Sequence, residues 1–121
     1  MSSPADLKRH EAEQALFDAL HDAASSDAQR SAARDALVEM HLPLVRHLAR
    51  RYAERGEPME DVIQAGTIGL IQAVDRFEPD RGLAFSTYAV PTVVGAIRRH
   101  FRDATWSMKV PRRVQELRGK I

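Results

Sequence analysis

The chain has 121 residues, of which 44% are hydrophobic and 29% are charged, and this balance fits a single globular domain. It contains no cysteine, which excludes disulfide scaffolds, thiolate metal sites and cysteine nucleophiles. No apolar run approaches the roughly 20 residues that span a bilayer, and the first ten residues lack the apolar stretch of a signal peptide. We therefore expect a cytoplasmic protein that does not contact a membrane.

The net charge of +1 conceals a strong asymmetry along the chain. Residues 81–121 carry nine Lys and Arg against two acidic residues, a net charge of +7, whereas residues 1–80 carry nine against fifteen, a net charge of −6. Such an asymmetry indicates a polyanionic partner at the basic end. A basic helix that is merely solvated would give the same composition.

The hydrophobic periodicity is helical throughout and predicts an all-α fold. Ser3-Pro4 caps a first helix that runs to about Ala24, and its sparse apolar positions predict a weakly held element. A second helical stretch follows residues 25–27 and ends at Gly56. Pro43 lies inside this stretch and predicts a kink or a break into two helices.

The second half of the chain predicts further helices separated by turn residues. A third helix covers residues 58–77 and ends at the Pro- and Gly-containing turn 78–82. Ser86-Thr87 caps a fourth helix that reaches about Arg102, and residues 103–110 are predicted to form a loop. Pro111 opens a last helix without a stop signal, so we expect it to continue in a longer protein.

The sequence contains no recognisable catalytic or metal-binding pattern. His10-Glu11 begins a zincin-like motif, but Gln14 stands where the second histidine is required. Gly66 and Gly69 have the spacing of a KH-domain GxxG loop, yet they lie in an apolar helical run without an intervening basic residue. We therefore predict no enzymatic activity, no metal and no cofactor.

A helical wheel for residues 59–77 separates two faces. The predicted core face holds Met59, Ile63, Leu70, Val74 and Phe77, and the opposite face holds Asp61, Gln64, Ile68, Ile71, Gln72 and Asp75. The two outward isoleucines are either covered by another segment of the chain or dock a partner helix, and the wheel supports both interpretations equally. Gly66 and Gly69 each cost about 1 kcal/mol relative to Ala in a helix, so we expect close packing there.

The same wheel for residues 86–102 predicts an inward apolar face and a basic outward face. The inward set is Val90, Val93, Val94, Ile97 and Phe101, and the outward set is Thr87, Tyr88, Pro91, Thr92, Gly95, Arg98, Arg99 and Arg102. Arginines interleaved with aromatic rings are typical of single-stranded nucleic-acid surfaces. Because Phe77, Phe85 and Phe101 are expected in the core, Tyr88 and Trp106 are the candidates for stacking on bases.

Three segments resemble bacterial sigma-70 family factors. Residues 61–70 (DVIQAGTIGL) and 73–77 (AVDRF) resemble the polymerase-binding segment, and residues 82–89 (GLAFSTYA) resemble the promoter-melting segment that follows it. The resemblance runs without a gap from about Leu37 to Glu116. The motifs at 91–95, 102–103, 105–106 and 110–113 resemble the alternative factors for general stress and sporulation.

The resemblance implies a fold and a division of the chain. The fold is the compact multi-helix bundle of sigma-factor domain 2, assigned to residues 36–110. Residues 1–35 would form an N-terminal helical extension, and residues 111–121 would begin the following helix. The implied function is that of an alternative sigma factor fragment that binds core RNA polymerase and recognises and melts the promoter minus-ten element.

The resemblance also assigns roles to individual residues. The surface that grips the clamp coiled coil of the largest polymerase subunit comprises Asp61, Gln64, Ala65, Thr67, Ile68 and Ile71. The pocket for a flipped adenine of the non-template strand comprises Phe77, Glu78, Arg81, Ser86, Thr87 and Tyr88. The remaining DNA contacts are Arg98, Arg99 and Arg102 on upstream duplex and phosphate, with Trp106, and Arg113 and Glu116 just beyond the minus-ten element. Factors of this branch are also held by anti-sigma proteins, which the resemblance adds as a partner.

Three departures from the housekeeping pattern alter the expected DNA recognition. Pro91-Thr92 replaces a tryptophan pair, Gly95 replaces a base-recognising glutamine, and Leu83 replaces a tyrosine of the adenine pocket. The resemblance therefore implies weaker melting and a different promoter sequence. A small helical adaptor that binds only protein is the alternative interpretation, and salt-dependent binding to minus-ten DNA distinguishes the two.

Overall fold

The computed structural model describes residues 3–52, 56–79 and 82–109, with side chains described as far as Asp103. Across these ranges the chain forms four helices, α1 (Pro4–His21), α2 (Asp27–Arg50), α3 (Met59–Arg76) and α4 (Phe85–Lys109), and no strand. The predicted all-α fold is confirmed. None of the helices in these ranges is long and apolar enough to cross a membrane.

Reciprocal capping boxes begin α1 and α2. Ser3 pairs with Asp6, and Ser26 pairs with Gln29, each side chain bonding the backbone N–H of the other residue. α1 ends at His21 and not near Ala24, because Asp22 turns the chain and its carboxylate accepts the Ala24 N–H at 2.8 Å. The hydrogen-bonded turn competes with helix continuation.

α2 is one helix across Pro43, so of the kink or break predicted there the break is wrong. The proline removes the hydrogen bond that the Glu39 carbonyl would accept, a defect that costs about 3 kcal/mol or more in a helix interior. Pro43 and Glu39 are both exposed, so water can solvate that carbonyl. His41 and Val45 are buried on the opposite side and hold the helix against the core.

α4 differs from the prediction at both ends. The Tyr88 N–H donates to the Ala84 carbonyl at 3.1 Å, so the first turn starts before Ser86, and Ser86 and Thr87 lie inside the helix and do not cap it. The helix also continues to Lys109, through most of the predicted loop at 103–110, where the sequence contains neither Gly nor Pro to stop it. The helix predicted after Pro111 lies outside the described residues.

All four helices contribute to one hydrophobic core. α3 packs against both α2 and α4, and α1 packs against α2. Among the described residues, the largest fully buried side chains are Phe17, Leu37, Val45, Val62, Leu70, Val74, Val93 and Ile97. The expectation that α1 is weakly held is wrong, since the buried Phe17 ring packs against both Phe77 and Phe85, with ring centroids 5.0 and 5.3 Å away.

Candidate functional site

One face of α3 exposes apolar side chains to solvent. Ile68 is 57% exposed and Ile71 is 37% exposed, and neither belongs to the hydrophobic core of the described residues. They lie on the face that the helical wheel separates from the core, which we call the α3 outer face (Asp61, Gln64, Ile68, Ile71 and Asp75). Of the two interpretations left open by the sequence, docking of a partner is the one that this exposure favours within the described ranges.

The two other residues assigned to this surface lie at its edge. Ala65 and Thr67 are half-buried, and the Thr67 hydroxyl donates to the Ile63 carbonyl at 2.7 Å. That hydroxyl is satisfied within its own helix. Thr67 therefore offers a methyl group more readily than a hydrogen bond to a partner.

An ion pair from α2 borders the outer face, and sequence reasoning missed it. Arg34 Nε donates to Asp75 Oδ1 at 2.7 Å, and both side chains are about two-fifths exposed. A surface pair of this kind contributes roughly 0–1 kcal/mol to stability. Its larger effect is to orient Asp75 and to place a guanidinium beside the apolar patch. No signal in the sequence links positions so far apart.

A cavity of about 360 Å³ lies where α3 ends and α4 begins, lined by Arg76, Phe77, Glu78, Leu83 and Tyr88. Phe77, predicted for both the core and the DNA pocket, is only 5% exposed and forms the inner wall. The sequence predicts Tyr88 on the exposed face of α4. That prediction is wrong, because the Tyr88 ring is half-buried and packs on Phe77 with ring centroids 5.3 Å apart. We call this site the α3–α4 cavity.

The other residues assigned to the adenine pocket surround this cavity only in part. Glu78 is exposed and lines it, whereas Ser86 and Thr87 are exposed in the first turn of α4 without lining it. Arg81 lies outside the described residues. The structure thus brings Phe77, Glu78 and Tyr88 together and adds Leu83, an exposed apolar side chain at the cavity rim.

The basic face of α4 is exposed along its second half. Arg98, Arg99 and Arg102 all face solvent, and the Arg102 pair with Asp103 is long, at 3.7 Å, and highly exposed. Such a pair holds the guanidinium only weakly, so it can exchange for phosphate. The side chain of Trp106, and both Arg113 and Glu116, lie outside what the structure describes.

The inward face of α4 is narrower than predicted. Val93 and Ile97 are fully buried with Ala89, whereas Val90, Val94 and Phe101 are half-buried. Thr92, predicted on the outward face, is also half-buried where α4 meets α3. The outward Gly95 has open surroundings, its nearest contact being Arg99 of its own helix.

A second cavity of about 380 Å³ lies between α1, α2 and the start of α4. His41 Nε2 donates to Glu13 Oε1 at 2.6 Å, and the imidazole is 7% exposed with its ring 4.7 Å from Phe85. Burial lowers the pKa of His41, the Glu13 carboxylate opposes that shift by raising it, and Arg9 adds to the lowering. The only sequence signal for this contact is that Glu13 and Phe17, four residues apart, share one face of α1.

Metal binding has no support in the described part of the chain, where no three His, Asp or Glu side chains cluster as ligands.

Comparison with known proteins identifies the family. Residues 37–107 match the family described as Sigma-70 region 2. The chain is 53% identical over 104 residues to the RNA polymerase sigma-F factor of Kitasatospora aureofaciens, a match that covers 86% of this chain and 35% of that protein. It is 50% identical over 99 residues to SigF of Mycobacterium tuberculosis, covering 82% and 37%.

A further relative is the RNA polymerase sigma-B factor of Bacillus subtilis, 42% identical over 93 residues, covering 77% of this chain and 36% of that protein. The chain thus spans about a third of the length of these curated relatives. The family match contains most of α2, all of α3 and nearly all of α4, and with them the α3 outer face and the α3–α4 cavity. The chain therefore belongs to the sigma-70 family, in the branch of the alternative factors sigma-F and sigma-B, and contains region 2 of that family.

Proposed function

We propose that this chain is the part of an alternative sigma factor that binds core RNA polymerase and takes up the promoter minus-ten element. The observation that carries this proposal is the exposed pair Ile68 and Ile71 on a helix that the family match covers in full. Exposed apolar anchors in a polar rim are the usual core of a protein interface. RNA polymerase, which appears in the names of the relatives, is the partner that fits them.

The α3 outer face would dock on the clamp coiled coil of the largest polymerase subunit. Ile68 and Ile71 would bury against the partner helix, with Ala65 and the Thr67 methyl group beside them. Asp61 and Gln64 would form the polar rim at the start of α3, where both are exposed. A helix laid against a helical hairpin in this way uses side chains spaced three and four residues apart.

The α3–α4 cavity would accept an extruded base of the non-template strand. Its volume of about 360 Å³ lies at the lower end of the range for small-molecule sites, about 300–1,000 Å³, which suits one flipped nucleotide. Tyr88 offers a ring for stacking, and Glu78 offers carboxylate acceptors for an exocyclic amine. Ser86 and Thr87 on the adjacent exposed turn, together with Arg81, would complete the contacts.

The basic face of α4 would hold the DNA backbone. Arg98, Arg99 and Arg102 are exposed on one helix, spaced so that they can follow successive phosphates. Such contacts depend on salt and are blind to sequence. Trp106, Arg113 and Glu116 are proposed to extend this surface downstream.

An anti-sigma protein is proposed to use the same α3 outer face as the polymerase. Because Ile68 and Ile71 cannot be buried against two partner helices at once, the two proteins would compete for this face. A fragment of the clamp coiled coil, added in excess, should therefore displace a bound anti-sigma protein in a pull-down. Simultaneous binding of both would place the anti-sigma site elsewhere.

Reconstitution with core RNA polymerase tests the proposed function. The full chain bound to core polymerase is used to select a single-stranded oligonucleotide from a random pool. Fluorescence anisotropy at several salt concentrations then compares the affinity of the complex for this selected strand with its affinity for a scrambled version of the strand. Binding of core polymerase together with a strand preference supports the proposal. Protein binding without any strand preference would favour the adaptor interpretation.

A further inference from the structure

α3 and α4 come into backbone contact at Gly69. A methyl group placed at this buried position would lie 2.8 Å from the Thr92 carbonyl oxygen and 2.9 Å from both Val93 Cα and Ala96 Cβ. Two of these three atoms belong to the backbone of α4, which cannot rotate out of the way as a side chain can. Glycine at position 69 therefore fixes how closely the two helices approach.

This contact and the α3–α4 cavity lie at different heights along the same two helices. Thr92 follows Tyr88 by one helical turn, and Phe77 follows Gly69 by just over two turns, so the contact and the cavity share the α3–α4 seam. Phe77 and Tyr88 line the cavity from the end of α3 and from α4, with ring centroids 5.3 Å apart. A change in the separation of the helices at Gly69 would therefore alter the separation of these two rings.

Pro91 makes the contact more important for the position of Tyr88. The proline lies inside α4 and lacks the N–H that would bond the Thr87 carbonyl, so the first turn of α4 is joined to the rest by one hydrogen bond fewer. Thr92 and Val93, held against Gly69, immediately follow this weak point. The contact with Gly69 therefore holds α4 in place directly after the position where Pro91 removes a backbone hydrogen bond.

We propose that Gly69 is a positioning residue for base recognition, acting through the backbone of Thr92 and Val93 to hold Tyr88 at its distance from Phe77. The inference rests on the proposed function. It adds that Gly69 would influence which DNA sequence is preferred without itself contacting DNA or polymerase. The α3 outer face lies on α3 alone, so displacement of α4 leaves the polymerase-binding residues in place.

Gly66 provides a matched control on the same helix. A methyl group there would meet Val45 Cγ1 at 2.8 Å, Ile97 Cδ1 at 3.3 Å and Val93 Cγ1 at 3.4 Å, all of which are side-chain atoms. Gly66→Ala therefore overpacks the core without pressing on the α4 backbone. Any effect that both variants share is a general effect on stability.

The experiment compares Gly69→Ala with Gly66→Ala in the full chain assayed with core RNA polymerase. Two quantities are measured: the affinity for core polymerase, by competition with the parent chain, and the affinity ratio of the selected oligonucleotide to its scrambled version. We expect Gly69→Ala to bind core polymerase within about twofold of the parent and to lose about tenfold or more of the strand preference, as expected for one misplaced base–aromatic stack. Gly66→Ala should keep the preference.

Two further variants approach the same contact from α4. Gly69→Ala combined with Ala96→Gly removes one of the three clashing atoms and should recover part of the strand preference. Ala96→Val narrows the same gap and should reproduce the loss. Circular dichroism reports whether each variant folds, and failure of both Gly69→Ala and Ala96→Val to fold would make the contact a requirement of folding and overturn the positioning role.

The remaining outcomes separate this inference from the proposed function. A parent chain without core binding or strand preference would overturn both. If the parent chain has both properties, two results for Gly69→Ala would overturn only the positioning role of Gly69. In the first, the variant keeps the strand preference of the parent. In the second, its affinity for core polymerase falls by as large a factor as its strand preference.

Discussion

The α3 outer face and the α3–α4 cavity are built in opposite ways. The outer face belongs to one helix, its anchors Ile68 and Ile71 project into solvent, and the core does not depend on them. The cavity is assembled from the end of α3, the segment after it and the start of α4, and its wall Phe77 is also core. A surface on one helix can change without affecting the fold, whereas a cavity made from several segments cannot.

The aromatic cluster under the cavity shows how far that dependence extends. Phe77 contacts Phe17 of α1, Phe85 and Tyr88, with ring centroids 5.0 to 5.3 Å apart. A change in the cavity therefore reaches α1 through two rings. Among the described residues, the outer face is connected to another helix by the Arg34–Asp75 pair at its edge and by no comparable aromatic contact.

Ile71→Glu tests the independence of the outer face most severely. We expect a loss of at least about 2 kcal/mol in binding to core polymerase, because an interface hot spot is replaced by a carboxylate that must be desolvated. The melting temperature should stay within a few degrees of the parent, measured by circular dichroism alongside a core-binding assay. Leu7→Glu, at a leucine that is 53% exposed on α1, is the matched control and should change neither quantity. Unfolding of Ile71→Glu would instead assign Ile71 to the core.

Tyr88→Ala should affect both DNA binding and stability, unlike the change at Ile71. We expect binding to the selected strand to weaken by about 1–3 kcal/mol, towards the level of the scrambled strand, with an unchanged salt slope. The melting temperature should also fall, since the ring packs on Phe77. Tyr88→Phe keeps the ring and should retain the melting temperature. Equal losses on both strands would leave Tyr88 a packing residue without a role in base recognition.

Arg102→Ala tests the basic face of α4, which resembles the outer face in being exposed on one helix. We expect weaker binding to the selected and scrambled strands alike, and a salt slope lower by about one unit, because one phosphate contact is lost. Anisotropy titrations at several salt concentrations measure both quantities. Lys8→Ala removes an exposed charge from α1 and should leave the slope unchanged. A loss confined to the selected strand would mean that Arg102 recognises a base.

His41 adds a pH dependence, for which we expect the smallest effect because burial and Glu13 shift its pKa in opposite directions. The folded-state pKa lies below the unfolded value, so the unfolded chain binds more protons, and stability falls as the pH drops below about 6.5. Melting curves between about pH 7.5 and 5.5 should show this loss in the parent. The loss should be smaller in His41→Gln and unchanged in His47→Gln, an exposed histidine on the same helix. Identical pH profiles for the parent and His41→Gln would exclude the effect.

The helices and the outer face could be predicted because their signals are local. Ser3 and Ser26 are capping residues recognisable in the sequence, and the spacing of residues 61–75 by itself places Ile68 and Ile71 opposite the core. The close packing expected at Gly66 and Gly69 is confirmed for the same reason, since glycine in a helix interior is costly without a neighbour. The break predicted at Pro43 is wrong because a proline in the sequence does not indicate whether the carbonyl that loses its hydrogen bond, here that of Glu39, faces water.

The amino-acid sequence by itself determined the helical class, the family and the exposed face of α3, since each depends on the spacing of residues within one segment. Only the tertiary structure decided that Tyr88 turns inward onto Phe77, that α1 closes the core through Phe17, and that Glu13 meets His41. These contacts join residues 11 to 60 positions apart. Their geometry depends on how the helices pack, and helix packing is settled by the whole core and not by any one segment.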